Sequence, residues 1–185
     1  MKLDKRSKIF LIIFFSIILI PVIIIGSIIY AKEHKLQNRI ENSKATRTLI
    51  LNNISTAITL DELFELELSE EYTIENDIST HNENKTIITY TNTAFLGADC
   101  TKEYVFYENK LKVCDFDIDT SHWMPKDIYE EIVKLNGAPD ETDVKPDDKY
   151  HYDIYTWYGK NGTLWMVEDK STRSINVSFE IETQQ

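Results

Sequence analysis

The chain is 185 residues long, 42% hydrophobic and 28% charged, with 31 acidic against 20 basic side chains and a net charge of −11. That length suits one domain of ordinary size plus an anchor. Four bases and one acid precede the first apolar run, so everything from Ile9 onward carries −14. Such a surface repels phosphate backbones, which argues against nucleic acid as a partner and favours basic partners or divalent cations.

The stretch IFLIIFFSIILIPVIIIGSIIY, Ile9 to Tyr30, holds 22 residues and no charge. As a helix it spans about 33 Å, slightly more than a hydrocarbon core of about 30 Å. Pro21 and Gly26 are breakers that bilayer helices tolerate. A cleaved signal peptide has a shorter apolar core, and Ile29-Tyr30-Ala31 is a poor cleavage site, so the expectation is an uncleaved anchor. Lys2, Lys5, Arg6 and Lys8 precede it, while Lys32, Lys35, Arg39, Lys44 and Arg47 follow. The preceding charges are denser, which places the N-terminus in the cytoplasm and the folded part outside.

From Ala31 to Ile58 the chain is polar and lacks Gly and Pro, with apolar residues at Leu36, Ile40, Ile50, Ile54 and Ile58. Several of these spacings are four residues, as in a helical stalk. The gap between Ile40 and Leu49 favours a solvated stalk over a dimerising one.

The remainder reads as two related halves. TLDELFELEL, from Thr59, and PKDIYEEIVK, from Pro125, are short helices, the second stopped by Asn136-Gly137 and Pro139. Acidic, turn-rich stretches and then strands follow each. A shift of 66 residues matches Asp61 with Asp127, Ile88 with Ile154, Leu111 with Val177 and Val113 with Phe179. A constant shift suggests an internal duplication, each unit a helix followed by a meander of about three strands. The expected segments are a tail at 1–8, a membrane helix at 9–30, a stalk at 31–58, and units at 59–120 and 121–185. The fold class is α+β.

YEEIVKLNGAPDE, YTWYG and INVSFE together resemble the β-lactamase inhibitor protein and small SmpA/OmlA-type lipoproteins, best over residues 125–181. The resemblance implies a short helix ending in a Gly-x-Pro turn against a curved antiparallel sheet, sometimes in tandem. It also implies a binding or assembly role rather than catalysis. The first half has Glu71 where the shifted Gly137 would fall, and the lipoprotein cysteine is missing.

Between Tyr150 and Val167 the aromatic residues fall on both strand parities. A turn at Lys160-Asn161 between Gly159 and Gly162 pairs Tyr158 with Thr163, Thr156 with Trp165, Trp157 with Leu164 and Tyr155 with Met166. In SINVSFEIE, Ile175, Val177, Phe179 and Ile181 form the apolar set that a helix must cover. If Trp165 joins Val177, then Tyr155, Trp157, Leu164 and Met166 form an apolar island on the open face. Three readings compete: contact with a partner, packing within the chain or against a second copy, and a register shifted by one, which exchanges the faces.

Other constellations carry less. Asp115, Asp117 and Asp119 share one side of a strand, too splayed to chelate one ion, and a solvated acidic face is expected rather than a metal site. Cys100 and Cys114 are candidates for a disulfide outside the cytoplasm. The hairpin YVFYENKLKV, continued without a bulge, puts them on opposite faces, so a bridge requires a bulge or a different turn. His34, His81, His122 and His151 are scattered, and no catalytic motif occurs. The expectation is therefore a membrane-anchored, non-catalytic, extracytoplasmic protein-binding module, of inhibitor, immunity or envelope-assembly type, without cofactor. A structural protein that self-associates is the alternative.

Overall fold

The computed structural model describes residues 5–51, 58–67, 71–78, 84–120, 125–144 and 152–182. Part of the predicted stalk, 52–57, and His81, His122 and His151 lie outside them. The chain divides into two units, residues 1–41 and 42–185.

Helix α1 (Lys5–Thr46) contains the apolar run and Pro21. Its described side chains from Ile17 to Tyr30 are exposed. It is long and apolar enough to cross a membrane, a test that a signal sequence also passes. A helical stalk reaching residue 58 is corrected: the helix ends at Thr46. Leu49, Leu51 and Ile58 are buried in the core of the second unit.

Polar groups fix that strap in place. Asp140, 1% exposed, accepts hydrogen bonds from Ser43 Oγ at 2.8 Å, Arg47 Nη1 at 2.8 Å and the Tyr158 amide at 2.9 Å. The Asn161 side chain accepts from the Leu49 amide at 2.8 Å and donates to its carbonyl at 2.9 Å. Asn136 treats Ile50 the same way, at 2.8 and 3.0 Å. Two asparagines thus replace the ladder that a neighbouring strand would supply, leaving these extended backbone groups satisfied. Gly159 allows the close approach, since a Cβ there would stand 2.7 Å from Leu49 Cγ and 3.0 Å from the Arg47 carbonyl.

After the strap, α2 (Leu60–Leu66) starts on a capping box in which Thr59 and Glu62 satisfy each other's backbone amides. Strands β1 (Tyr72–Ile78), β2 (Asn84–Phe95), β3 (Ala98–Tyr107) and β4 (Lys110–Asp119) follow. Then come α3 (Pro125–Asn136), β5 (Glu141–Val144), β6 (Tyr152–Gly159), β7 (Gly162–Asp169) and β8 (Ser174–Ile181). The eight strands form one antiparallel sheet in the order β1-β2-β3-β4-β8-β7-β6-β5. Each half is therefore a helix and a four-stranded meander, one strand more than expected, and the halves join through β4 and β8.

The residue-level repeat is not confirmed. Ile88 is fully buried on the helix-covered face, whereas Ile154, its counterpart at the expected shift, lies on the other face. Irregularities between Tyr90 and Thr93, and between Val105 and Phe106, displace the first half's register relative to the second.

One face of the sheet carries the core. A row across it runs Trp157, Leu164, Phe179, Cys114, Tyr104 and Ile88, each at most 1% exposed. Helices α2 and α3 insert Leu63, Ile128 and Ile132 into the same cluster. At about 25 cal/mol per Å² of apolar surface removed from water, this layer is the main stabilising term. It also holds one buried ion pair: Lys102 Nζ donates to both oxygens of Glu67, at 3.0 and 2.9 Å, and Tyr104 donates to the same carboxylate.

Candidate functional site

The pairing of β6 with β7 follows the turn-based expectation at every position, Trp157 opposite Leu164 and Tyr155 opposite Met166 included. The step to β8 differs. Trp165 faces Ser178, and Met166 faces Val177. Four residues, 170–173, separate the paired ends Asp169 and Ser174. That loop sets the register one residue away from the one that joins Trp165 to Val177. Asp169 builds the loop by accepting from the Ser171 amide and hydroxyl at 2.8 and 2.6 Å and from the Thr172 amide at 3.3 Å. The Ser171 hydroxyl above all, with these other donors, holds its carboxyl at about 2.

The island expected on the open face is therefore in the core. Trp157, Leu164 and Met166 are 0% exposed, and Tyr155 is partly buried against the same cluster. Trp157 Nε1 donates to the Gly137 carbonyl at 2.8 Å, just past the end of α3. Tyr129 of α3 lies 4.7 Å from Tyr155 and 6.3 Å from Trp157, centroid to centroid. These four residues are packed beneath a helix, so they do not form an open binding surface.

The face opposite the two helices carries a different set. Trp165 is half-buried there, with Thr156 beside it on β6 and Ser178 on β8. Ile154 and Val167 form the same-face rung on one side of it, and Tyr158 and Thr163 the rung on the other. Tyr158 donates to Glu141 at 2.8 Å, and Lys44 Nζ stands 5.4 Å from its ring centre. Burial, followed by that hydrogen bond, pushes the Tyr158 hydroxyl up to about 12.

Continuing across the sheet, the Trp165 rung reaches Asp115 and then Glu103, directly opposed on β4 and β3. Asp117 and Asp119 project from the same side of β4, as expected from their alternation with Phe116 and Ile118. Burial raises the Asp115 carboxyl, the Ser178 hydroxyl opposes the shift, and the charge of Asp117 adds to it. Burial also raises Glu103, reinforced by Asp115 and opposed by Lys85. Asn176 donates to Asp117 at 2.8 Å. An aromatic patch thus borders an acidic strip, suited to an amphipathic basic surface. Among the described residues, no group of three or more His, Cys, Asp or Glu is arranged to hold a metal ion.

Cys100 and Cys114 are both free and buried. The irregularity in the β3–β4 hairpin turns Cys114 onto the face of Cys100, but Cys114 lies opposite Tyr104 and Cys100 opposite Ile118. The thiols are thus four residues apart along the strands, about 13 Å, too far for the candidate disulfide. Burial raises both, Cys100 to about 11.

The sequence reading put Trp165, Ile154 and Val167 on the core face because it joined Trp165 to Val177; the register shifted by one, which it held as an alternative, is the one found. Asp169 followed by Ser171 and Thr172 is a turn-initiating pattern and was the available signal. No protein-family model, curated protein or solved structure matches the chain.

Proposed function

We propose that this protein is a membrane-anchored, non-catalytic binding module whose domain lies outside the cytoplasm and engages another protein through the sheet face centred on Trp165. The single observation that carries this reading is the placement of Trp165, half-buried beside Ile154 and Val167, on the face away from α2 and α3. Aromatic and aliphatic side chains of this kind supply desolvated contact area at protein interfaces, and such patches on a sheet face usually have a use. Asp115, Glu103 and Asp117 alongside favour a basic partner and disfavour an acidic one.

The denser positive charge ahead of the apolar run supports an N-terminus on the cytoplasmic side of the membrane. The element order, a helix and four strands twice over, supports the tandem reading and is consistent with the resemblance to inhibitor-type and envelope-assembly folds. The test places a photoreactive benzoylphenylalanine at position 165 of the full chain in its own membrane. The reading expects an adduct with a different protein that is absent when the probe replaces exposed Lys134. An adduct of twice the chain mass assigns the face to self-association, and no adduct at position 165 refutes the reading.

A further inference from the structure

The sheet is open, and its two outer strands differ in what they leave unpaired. At one edge β5 is only four residues long. At the other, β1 runs for seven residues in unbroken register with β2. Soluble sheets blunt such edges with short strands, lysine, proline or bulges, and YTIENDI has none of these.

The direction of the β1 main-chain groups follows from one bond. The Thr91 amide donates to the Glu71 carbonyl at 3.3 Å, which makes Glu71 and Thr91 a hydrogen-bonded pair. Such pairs alternate along an antiparallel ladder, so Thr73 and Glu75 also turn their main-chain groups toward Thr89 and Ile87 of β2. The N–H and C=O groups of Tyr72, Ile74 and Asn76 therefore point outward, where no described strand lies.

The same alternation sorts the side chains. Tyr72 and Ile74 stand across from buried Tyr90 and Ile88 on the helix-covered face, yet they are 46% and 45% exposed. The core row that reaches Ile88 thus runs on into apolar side chains with water beyond them. Phe64 of α2 lies 5.3 Å from the Tyr72 ring, so the helix packs against this end of the sheet. Glu75 is exposed on the opposite face, and its charge bears on Glu103 two strands in. Exposed Asp61, Glu62 and Glu65 make α2 acidic as well.

We infer that this edge takes up an extended segment of another protein as a ninth strand, its apolar residues toward Tyr72 and Ile74 alternating with basic residues toward Glu75. Each part of that occupant answers a separate feature. The outward main-chain groups call for another strand, Tyr72 and Ile74 call for apolar neighbours on one face, and Glu75 with Glu103 calls for a base on the other. A second copy of β1 fits worse, because antiparallel pairing over the full strand sets Glu75 directly opposite Glu75. The edge is four strands removed from β8 and further from β7, so the inference does not rest on the face centred on Trp165.

The test uses the full chain in detergent micelles and a fluorescein-labelled peptide of four Lys-Val repeats, read by anisotropy and by amide exchange. The expected result is saturable binding at least tenfold tighter than that of four Glu-Val repeats, with exchange at Tyr72, Ile74 and Asn76 slowed at least tenfold. Residues directly opposed in a ladder share a face, so the valines supply the N–H groups that meet these three residues. N-methylation of the valines should therefore weaken binding at least tenfold more than N-methylation of the lysines. Ile74→Pro removes an outward N–H while sparing the ladder to β2, and it should weaken binding at least tenfold. Glu75→Lys should reverse the preference between the two peptides, and it covers the case in which Ile74→Pro does not fold. Equal affinity of the two N-methylated peptides, no slowing at the three amides, or an unchanged preference in Glu75→Lys overturns the inference. Slow exchange at those amides before peptide is added shows the edge already filled by this chain or a second copy, and overturns it too.

Discussion

Truncating two tryptophans on neighbouring strands separates the two faces of the sheet energetically. Trp157 is fully buried and donates to the Gly137 carbonyl at 2.8 Å, whereas Trp165 is half-buried on the opposite face. A buried indole removes about 200 Å² from water, which at about 25 cal/mol per Å² amounts to roughly 5 kcal/mol. Alanine retains a small part of this, and the lost hydrogen bond adds about 1 kcal/mol. Trp157→Ala should therefore cost about 4–5 kcal/mol, in line with aromatic truncations in other cores. Trp165→Ala should cost about 2 kcal/mol less, because solvent already reaches part of the ring. In urea, with a slope of about 2 kcal/mol per M, the first change lowers the midpoint by about 2 M and the second by about 1 M. Far-UV circular dichroism of the full chain in detergent is the assay, since both variants lose a fluorophore. Comparable shifts for the two variants, or a larger one for Trp165→Ala, refute the face assignment.

Lys102→Met alone strands the Glu67 carboxylate in the core and should cost about 3–5 kcal/mol, whereas Lys102→Met with Glu67→Leu should recover most of it. Thermal melts of the four members of the cycle check this, and additive losses contradict it. Gly159→Ala drives a methyl group into Leu49 Cγ and the Arg47 carbonyl. It should cost about 1–3 kcal/mol and accelerate amide exchange at Leu49 and Ile50 by at least tenfold, unlike at Val177. The carboxyls of Glu103, Asp115 and Glu168 are raised in the folded state, with burial the first cause for each. The folded chain therefore binds more protons than the unfolded one between the ordinary carboxylate range and the raised values, and stability falls as pH rises through that window. Glu62 and Asp169 are lowered, the latter to about 2, so their stabilisation is complete above the ordinary range and lost as pH falls through the folded values. The melting temperature should thus peak within the ordinary carboxylate range, at about pH 4, and decline on both sides. Asp115→Asn should flatten the neutral-side decline, and a peak at or above neutral contradicts the argument.

Local signals in the sequence were enough for much of this fold. Thr59 with Glu62 marks the start of α2, and Asn136-Gly137 marks the end of α3, where Gly137 has φ +78°. Gly159-Lys160-Asn161-Gly162 fixes the β6–β7 register through its length and its glycines. What escaped depends on positions without such a mark. The loop before β8 takes its left-handed residue from Arg173, at φ 56°, and the β2 irregularity takes one from Asn92, at φ 54°. Neither is glycine, so composition does not reveal the extra residue, and a single-residue change in loop length exchanges the faces of Trp157 and Trp165. The strap was misread for another reason. Leu49 and Leu51 share the polar surroundings of a stalk, and their burial depends on Asn136, Asp140, Gly159 and Asn161, about ninety or more residues away in sequence. Lys102 and Glu67 carry no local signal of their pairing, because they lie 35 residues apart in sequence.

The most direct test of the proposed role is the reactivity of a cysteine placed at Val167, beside Trp165. Cys100 and Cys114 are buried with raised thiols and serve as a silent background. With a membrane-impermeant maleimide applied to intact cells, a Lys134→Cys control on exposed α3 should label readily, which requires the domain to lie outside. Val167→Cys should label at least tenfold more slowly in the native membrane than in the purified chain, because a partner covers that face. Equal rates at Val167→Cys in the two settings, with the control labelled, contradict the binding-face account.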